Sequence, residues 1–305
     1  MDTFKNIIQK ARPNLKNNSL TNYINNLKKL NDNADFKSVS FLKNTDEIIK
    51  KLADYKDTTK RNYLNSIIVM LNAISPDDYH SELEFYNKQL VDTNKLINDN
   101  YEKKEFTDDE KKKYINLKGL QAIFKTIEDN VKKQHFEDKD KINDSQRKLI
   151  LEYLIAGLYV LTPPLRLTYS NMEIINNPKD VKPKTNYLLI TGKFKKKFIL
   201  QDFKNVEKLG KVEIAIPKDL NLVINLYLKY HSGDAFLLNT RNFKMSSNSL
   251  GKFLMKIFGV NLNLIRKAHV NDVLDVEKLQ KEEEFHKNML HTGSVAKKIY
   301  MKNDA

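Results

Sequence analysis

The sequence predicts a mainly α protein in two parts, with one small antiparallel β-sheet set into the second. Three observations predict it. Apolar residues recur at helical spacing through the first hundred residues. That period gives way to short strand-like runs between 187 and 216 and then returns. A charged, apolar-poor stretch, 103–113, separates the two parts. The expected organisation is a helical domain over 1–102, a linker over 103–113, and an α+β domain over 114–305 with three strands near 187–216.

Taken in order, 2–11 reads as a helix ended by Pro13, and 19–30 as a second, with Ser19 as N-cap and Leu20, Tyr23, Ile24, Leu27 and Leu30 on one face. Residues 45–55 form a third. The fourth, 58–74, carries Tyr63, Ile67, Met70, Leu71 and Ile74 as its apolar stripe and is closed by Ser75-Pro76-Asp77. A longer, more polar helix runs from 79 to 102. Beyond the linker come 117–132 and 145–161, the latter capped by Ser145 and stopped by Pro163-Pro164. The runs 187–191, 198–203 and 212–216 are the three strands, split by turns containing lysine and glycine. Helical pattern resumes at 218–230, 246–258, 261–274, 276–289 and 294–301.

Composition narrows the function. The formal charge of +14 suits a partner presenting many phosphates, whose neutralisation releases counterions. The chain has no cysteine, which excludes disulfides, thiol catalysis and thiolate zinc sites. Its six histidines are scattered, with no pair at the helical spacing of a metal site, so no metal and no cofactor are expected. The longest apolar runs, such as 154–161, are too short for a bilayer, and the N-terminus has no signal-peptide core. A soluble intracellular protein without a membrane partner is expected.

Only six of the 53 basic residues are arginine: Arg12, Arg61, Arg147, Arg166, Arg241 and Arg266. The abundance of Lys, Asn and Ile points to an AT-rich genome, in which lysine serves wherever a point charge is enough. A planar fork for phosphate or carboxylate needs arginine, so each of the six is a candidate for a geometric role, with an ordinary surface cation as the plainer alternative. Lys56, Lys60, Arg61 and Asn62 crowd the start of the fourth helix. They are either a solvated face or contacts to a DNA backbone.

Near the C-terminus, Arg266 opens an apolar-faced helix, His291 follows it by 25 residues, and Tyr300 follows His291 by nine. A phenol is a poor nucleophile until positive charge and hydrogen-bond donors surround its target. An arginine, a histidine and a tyrosine brought together late in a basic chain point to chemistry on a phosphodiester.

With this layout the chain resembles the tyrosine recombinases, or phage-type integrases, over nearly its whole length, and is most similar to versions carried by large DNA viruses of protists and related mobile elements. The box Leu161-Thr162-Pro163-Pro164-Leu165-Arg166-Leu167-Thr168-Tyr169 is similar to the family's first-arginine box. Phe203-Lys204-Asn205-Val206-Glu207-Lys208-Leu209-Gly210, followed by Val212-Glu213-Ile214-Ala215-Ile216-Pro217, is similar to its hairpin. The resemblance implies a helical core-binding domain followed by a catalytic domain. It also implies metal- and ATP-independent cutting and rejoining of double-stranded DNA through a covalent 3′-phosphotyrosyl intermediate.

On that resemblance Tyr300 is the nucleophile, Arg166 and Arg266 grip the non-bridging phosphate oxygens, and His291 adds a hydrogen bond or assists proton movement. A hairpin lysine protonates the departing 5′ oxygen. The family places it at the turn between the second and third strands, here Lys204 or Lys208. Lys204 is chosen because Phe203-Lys204 and Gly210 match the viral pattern. Lys193, after Gly192, mimics the Gly-Lys of bacterial relatives but falls between the first two strand-like runs.

Two positions depart from the pattern. The residue three before the second arginine is commonly histidine; here it is Asn263, which can hydrogen-bond a phosphate but cannot serve as a base near neutral pH. His269, one turn further on, could compensate. Only five residues follow Tyr300, so self-association on DNA, from dimer to tetramer, is expected to use an element other than a further C-terminal helix, such as the Tyr300 helix itself. The expected location is at DNA, in host cytoplasm, nucleus or a viral factory. Two competing readings remain open: a type IB topoisomerase, with a similar residue set, and a catalytically impaired DNA-binding descendant, which Asn263 keeps in play.

Overall fold

The computed structural model describes residues 2–103 and 105–274. The chain divides into two compact units, 1–106 and 107–305. It is mainly helical with a four-stranded mixed sheet.

In the first unit, five α-helices are α1 (Asp2–Ala11), α2 (Asn17–Leu30), α3 (Thr45–Leu52), α4 (Asp57–Ile74) and α5 (His80–Glu102). The stripe expected on α4 is inward: Tyr63, Ile67, Met70 and Leu71 are buried among Ile8, Leu20, Ile24, Leu27, Leu42, Leu52 and Tyr86. Burying so apolar a stripe is the main driving force for a helical unit of this size. Tyr86 sits at the centre with its hydroxyl donating to the Leu42 carbonyl at 2.8 Å, so the buried phenol keeps its hydrogen bond. Ser19 is not the cap of α2. The helix starts two residues earlier, with Lys16 at the boundary and its carbonyl accepting from Ser19 N and Leu20 N. The third helix ends at Leu52, short of the expected Tyr55.

The second unit opens with a short helix where a linker was expected. Residues 108–113 form α6 (Asp108–Lys113), started by a reciprocal cap in which Thr107 and Glu110 each accept from the other's backbone N–H. Lys267 Nζ lies 2.5 Å from Glu110 Oε1 and ties this turn to the body of the unit. A run rich in charge reads as linker by composition, but its charges are arranged as a capping box and an ion pair.

Next come α7 (Leu117–Lys132) and α8 (Asp144–Val160). Asn143, not Ser145, caps α8, with Gln146 completing the box. The final two turns of α8 are buried throughout, from Leu154 to Val160. A Cβ on Gly157 would sit 3.4 Å from Val223 and 3.5 Å from both Leu220 and Phe124, so the missing side chain lets neighbouring helices approach α8 closely.

The sheet comprises β1 (Met172–Ile175), β2 (Asn186–Gly192), β3 (Lys195–Leu200) and β4 (Val212–Ala215), in that spatial order. The expectation of a three-stranded antiparallel sheet is corrected. β2–β3 and β3–β4 are antiparallel, but a fourth strand, β1, runs parallel to β2 with Met172 opposite Asn186 and Ile175 opposite Leu189. Four residues are too few to display alternation, and β1 is held from outside its own sequence: Phe236 N donates to the Met172 carbonyl and Ile174 N to the Asp234 carbonyl. Between β3 and β4 lies one helical turn, α9 (Val206–Leu209), ended by Gly210 at φ 66°. Helices α10 (Lys218–Lys229), α11 (Ser247–Phe258) and α12 (Leu262–Val273) follow, the last two capped by Ser246 and Asn261. No helix among the described residues is long and apolar enough to cross a membrane.

Candidate functional site

The C-terminal end of α8 runs into Leu161-Thr162-Pro163-Pro164-Leu165-Arg166, where the prolines stop the helix and Arg166 is extended at the start of a 3₁₀ turn, 167–171. Side chains hold backbone carbonyls of the loop and of the end of α8. Tyr159 Oη donates to the Arg166 carbonyl at 3.1 Å, Thr162 Oγ1 to that of Leu158 at 3.2 Å, and an Arg266 Nη1 hydrogen to that of Pro164. His269 Nε2 lies 2.9 Å from the Tyr159 carbonyl, so its proton sits on that nitrogen. Arg266 and His269, one turn apart on α12, therefore both hold the end of α8 and its loop.

Arg166 and Arg266, one hundred residues apart in sequence, line one cleft of about 240 Å³ together with Lys204 from the β3–β4 connection. Burial lowers the pKa of Arg266, and the like charge of Arg166 lowers it further, opposed by the Tyr159 phenol. Two guanidiniums that repel in a partly dehydrated cleft would each be stabilised by an anion between them. The rest of the wall is mainly apolar, from Leu165, Leu200, Phe203, Leu209, Val212 and Ile214, which weakens competition from water.

Arg166 also borders a second, wider cleft, with Asn263, Asn248 and Lys252. Asn263 thus lines a different cleft from Lys204 and Arg266, with Arg166 common to both. His269 lines neither cleft and is committed to the Tyr159 carbonyl; burial holds its imidazole below the ordinary range. Lys208 lies on α9 and is not among the residues lining either cleft, though its neighbour Leu209 is. Lys193 stands at the β2–β3 turn with its ammonium 5.7 Å from the centre of the Phe194 ring. His291 and Tyr300 lie outside the described residues.

In the first unit, Lys56 precedes α4, Lys60 sits 3.8 Å from Asp57, and Asn62 lines a polar groove with Asn22, Asn26 and Lys29. The groove is anchored by Asn26 Nδ2 donating to Ser66 Oγ at 2.9 Å. Arg61 is half-buried on the same helix.

Sequence reasoning missed three residues, two at these clefts and their loop and one beneath the β2–β3 turn. Tyr159 aligns the loop through both its hydroxyl and its carbonyl, and nothing in its spacing distinguishes it from an ordinary core tyrosine. Lys252 lines the wider cleft and looked like any helix-surface lysine. Lys196 is buried within a run of three lysines; its signal was the period of β3, which puts it on the same face as Phe198 and Leu200.

Among the described residues, one group could offer three metal-ligand atoms, His135, Glu137 and Asp138, all exposed. His135 and Glu137 are 3.5 Å apart, and the cluster is a solvated group of surface charges. Comparison of the chain with models of protein families, with curated proteins and with solved structures finds no match.

Proposed function

We propose that the chain is a DNA strand-exchange enzyme of the tyrosine-recombinase kind, in which a scissile phosphate sits between the Arg166 and Arg266 guanidiniums. The observation that carries this reading is the convergence of those two arginines and Lys204 on one cleft. Only six arginines are available to the chain, and two of them meet across one hundred residues. Charge of +14 supports a polyanionic partner.

In this reading the Tyr300 phenolate attacks phosphorus, the bond to the 5′ oxygen breaks, and the phosphate becomes a 3′-phosphotyrosyl ester. The arginines bind the non-bridging oxygens, whose charge grows as the pentavalent state forms. Lys204, on the same cleft, supplies the proton to the departing oxygen; Lys193, at a different turn, does not line it. His291 assists, and attack by a free 5′ hydroxyl reverses the sequence and rejoins the strand without metal or nucleotide. Arg266 spends one N–H on the Pro164 carbonyl, which restrains the plane of its fork.

The test is covalent trapping. Full-length protein is incubated with a pool of nicked duplexes of random sequence, quenched in detergent, and assayed for protein-linked DNA. An adduct that disappears in Tyr300→Phe is expected. Bound DNA with no adduct in the wild type overturns catalysis and leaves a binding protein. Relaxation of supercoiled plasmid without joined products places the chemistry with type IB topoisomerases instead.

A further inference from the structure

The turn joining β2 to β3 is braced from beneath in a way that neither cleft requires. Lys196 is 7% exposed. Its ammonium uses all three donors on neutral oxygens: the Lys193 carbonyl at 2.5 Å, Asn225 Oδ1 at 2.6 Å and Asn221 Oδ1 at 2.7 Å. Asn225 Nδ2 donates to the same Lys193 carbonyl at 3.2 Å. A buried cation is tolerated only when its hydrogen bonds are complete, and burial pulls this lysine's pKa down. The arrangement binds a surface turn to α10 through the backbone of its first residue.

What the brace holds up is unusual for an exposed turn. Phe194 is 59% exposed, with Lys193 beside its ring and Lys195 exposed immediately after it. A register shift between Ile190 and Gly192, and Thr191 Oγ1 donating to the Lys195 carbonyl at 3.1 Å, close the turn from the strand side. A lone exposed aromatic needs no explanation. An aromatic between two cations, on a turn fixed by a buried ammonium cage, has the makings of a rigid probe for a polyanion with stackable rings.

We propose that this turn contacts duplex DNA, with Phe194 wedging against a base step, Lys193 and Lys195 binding flanking phosphates, and Lys196 acting as the positioning residue that keeps the ring presented. The inference rests on DNA being the partner, as in the proposed function, but not on strand cleavage. Apolar wedges of this kind part neighbouring bases and unwind or kink the duplex, and lysines on either side hold the backbone while they do so. A tip of two residues is narrow enough to enter a groove without displacing its own sheet. The cage answers the energetic difficulty of wedging, since a mobile phenyl ring would yield before the base stack does.

The test uses full-length Tyr300→Phe protein, so that strand passage does not alter topology. Nicked circular plasmid is sealed by ligase with and without bound protein, and the change in linking number per bound protein is read by gel. Tyr300→Phe protein is expected to lower the linking number. Adding Phe194→Ala is expected to abolish that shift while affinity falls only a few-fold. Lys196→Met, checked for folding by circular dichroism, should also lose the shift with Phe194 intact. Replacing Lys193 and Lys195 by Gln should reduce the slope of log affinity against log salt by about 2, at about 0.9 per phosphate contact. An unchanged linking shift in Phe194→Ala, or no shift from bound protein with the intact turn, overturns the wedge and leaves the proposed function standing. Failure to bind duplex DNA at all removes both.

Discussion

The guanidinium of Arg166 bears directly on that of Arg266: its positive charge lowers the Arg266 pKa beyond what burial does, although one hundred residues separate them. The Arg266 guanidinium is tied by an N–H to the Pro164 carbonyl, and the backbone of Arg166 by the Tyr159 hydroxyl on its carbonyl. Two like charges lining one cleft are the arrangement on which the proposed phosphate grip rests.

Arg266→Lys should retain positive charge but lose the fork and the tie to Pro164. Trapped adduct is expected to fall at least tenfold, with DNA affinity changed little. Loss of the hydrogen bond should cost about 1 kcal/mol of stability. Adduct yield and denaturant midpoints measure the two effects separately; wild-type trapping by this variant contradicts the grip on phosphate.

A cleft that grips phosphate should respond to inorganic anions. Phosphate or sulfate at ionic strength matched with chloride is expected to raise the melting temperature, because a ligand that binds only the folded state stabilises it. Arg166→Ala should remove most of that increment. A scanning fluorimetry titration measures it, and an equal increment in the variant would place anion binding elsewhere.

Stability should depend on pH through His231 and His269, both held below the ordinary imidazole range, chiefly by burial. A histidine with a depressed folded pKa binds fewer protons folded than unfolded in the window below pH 6.5. Stability therefore rises with pH through that window and is lost as pH falls toward the folded pKa values. His269→Gln should flatten the profile between pH 5 and pH 6.5, read as urea midpoints (approximate limits from the usual imidazole range).

Tyr86→Phe should destabilise the first unit by about 1 kcal/mol, since the Leu42 carbonyl loses its buried donor while packing is unchanged. Chemical denaturation followed by far-ultraviolet circular dichroism tests it. A null effect would mean that water replaces the hydroxyl.

The helices were legible because their signals are local. Apolar spacing marked α4 and α8, prolines marked the end of α8, and Ser246 and Asn261 stand where caps belong. Caps shifted where several candidates adjoin: Asn143 displaced Ser145, because its side chain and that of Gln146 satisfy each other's backbone N–H. The helix α6 inside the stretch expected as linker is invisible to composition, which records how many charges a stretch carries, not how they pair. β1 went unseen because a four-residue strand owes its existence to partners at 186–189 and 234–236.

By itself the sequence determined that the chain is helical and basic, that its second part contains a small sheet, and that arginine is scarce enough for each one to merit a question. The tertiary structure decided which arginines meet, which lysine joins them, and that Lys196 lies buried under a turn rather than in solvent. Periodicity and caps are properties of neighbours in the chain, whereas a cleft is made by residues from the loop after α8, strands β3 and β4 with their connection, and α12. Their meeting depends on long-range packing that no window of sequence contains.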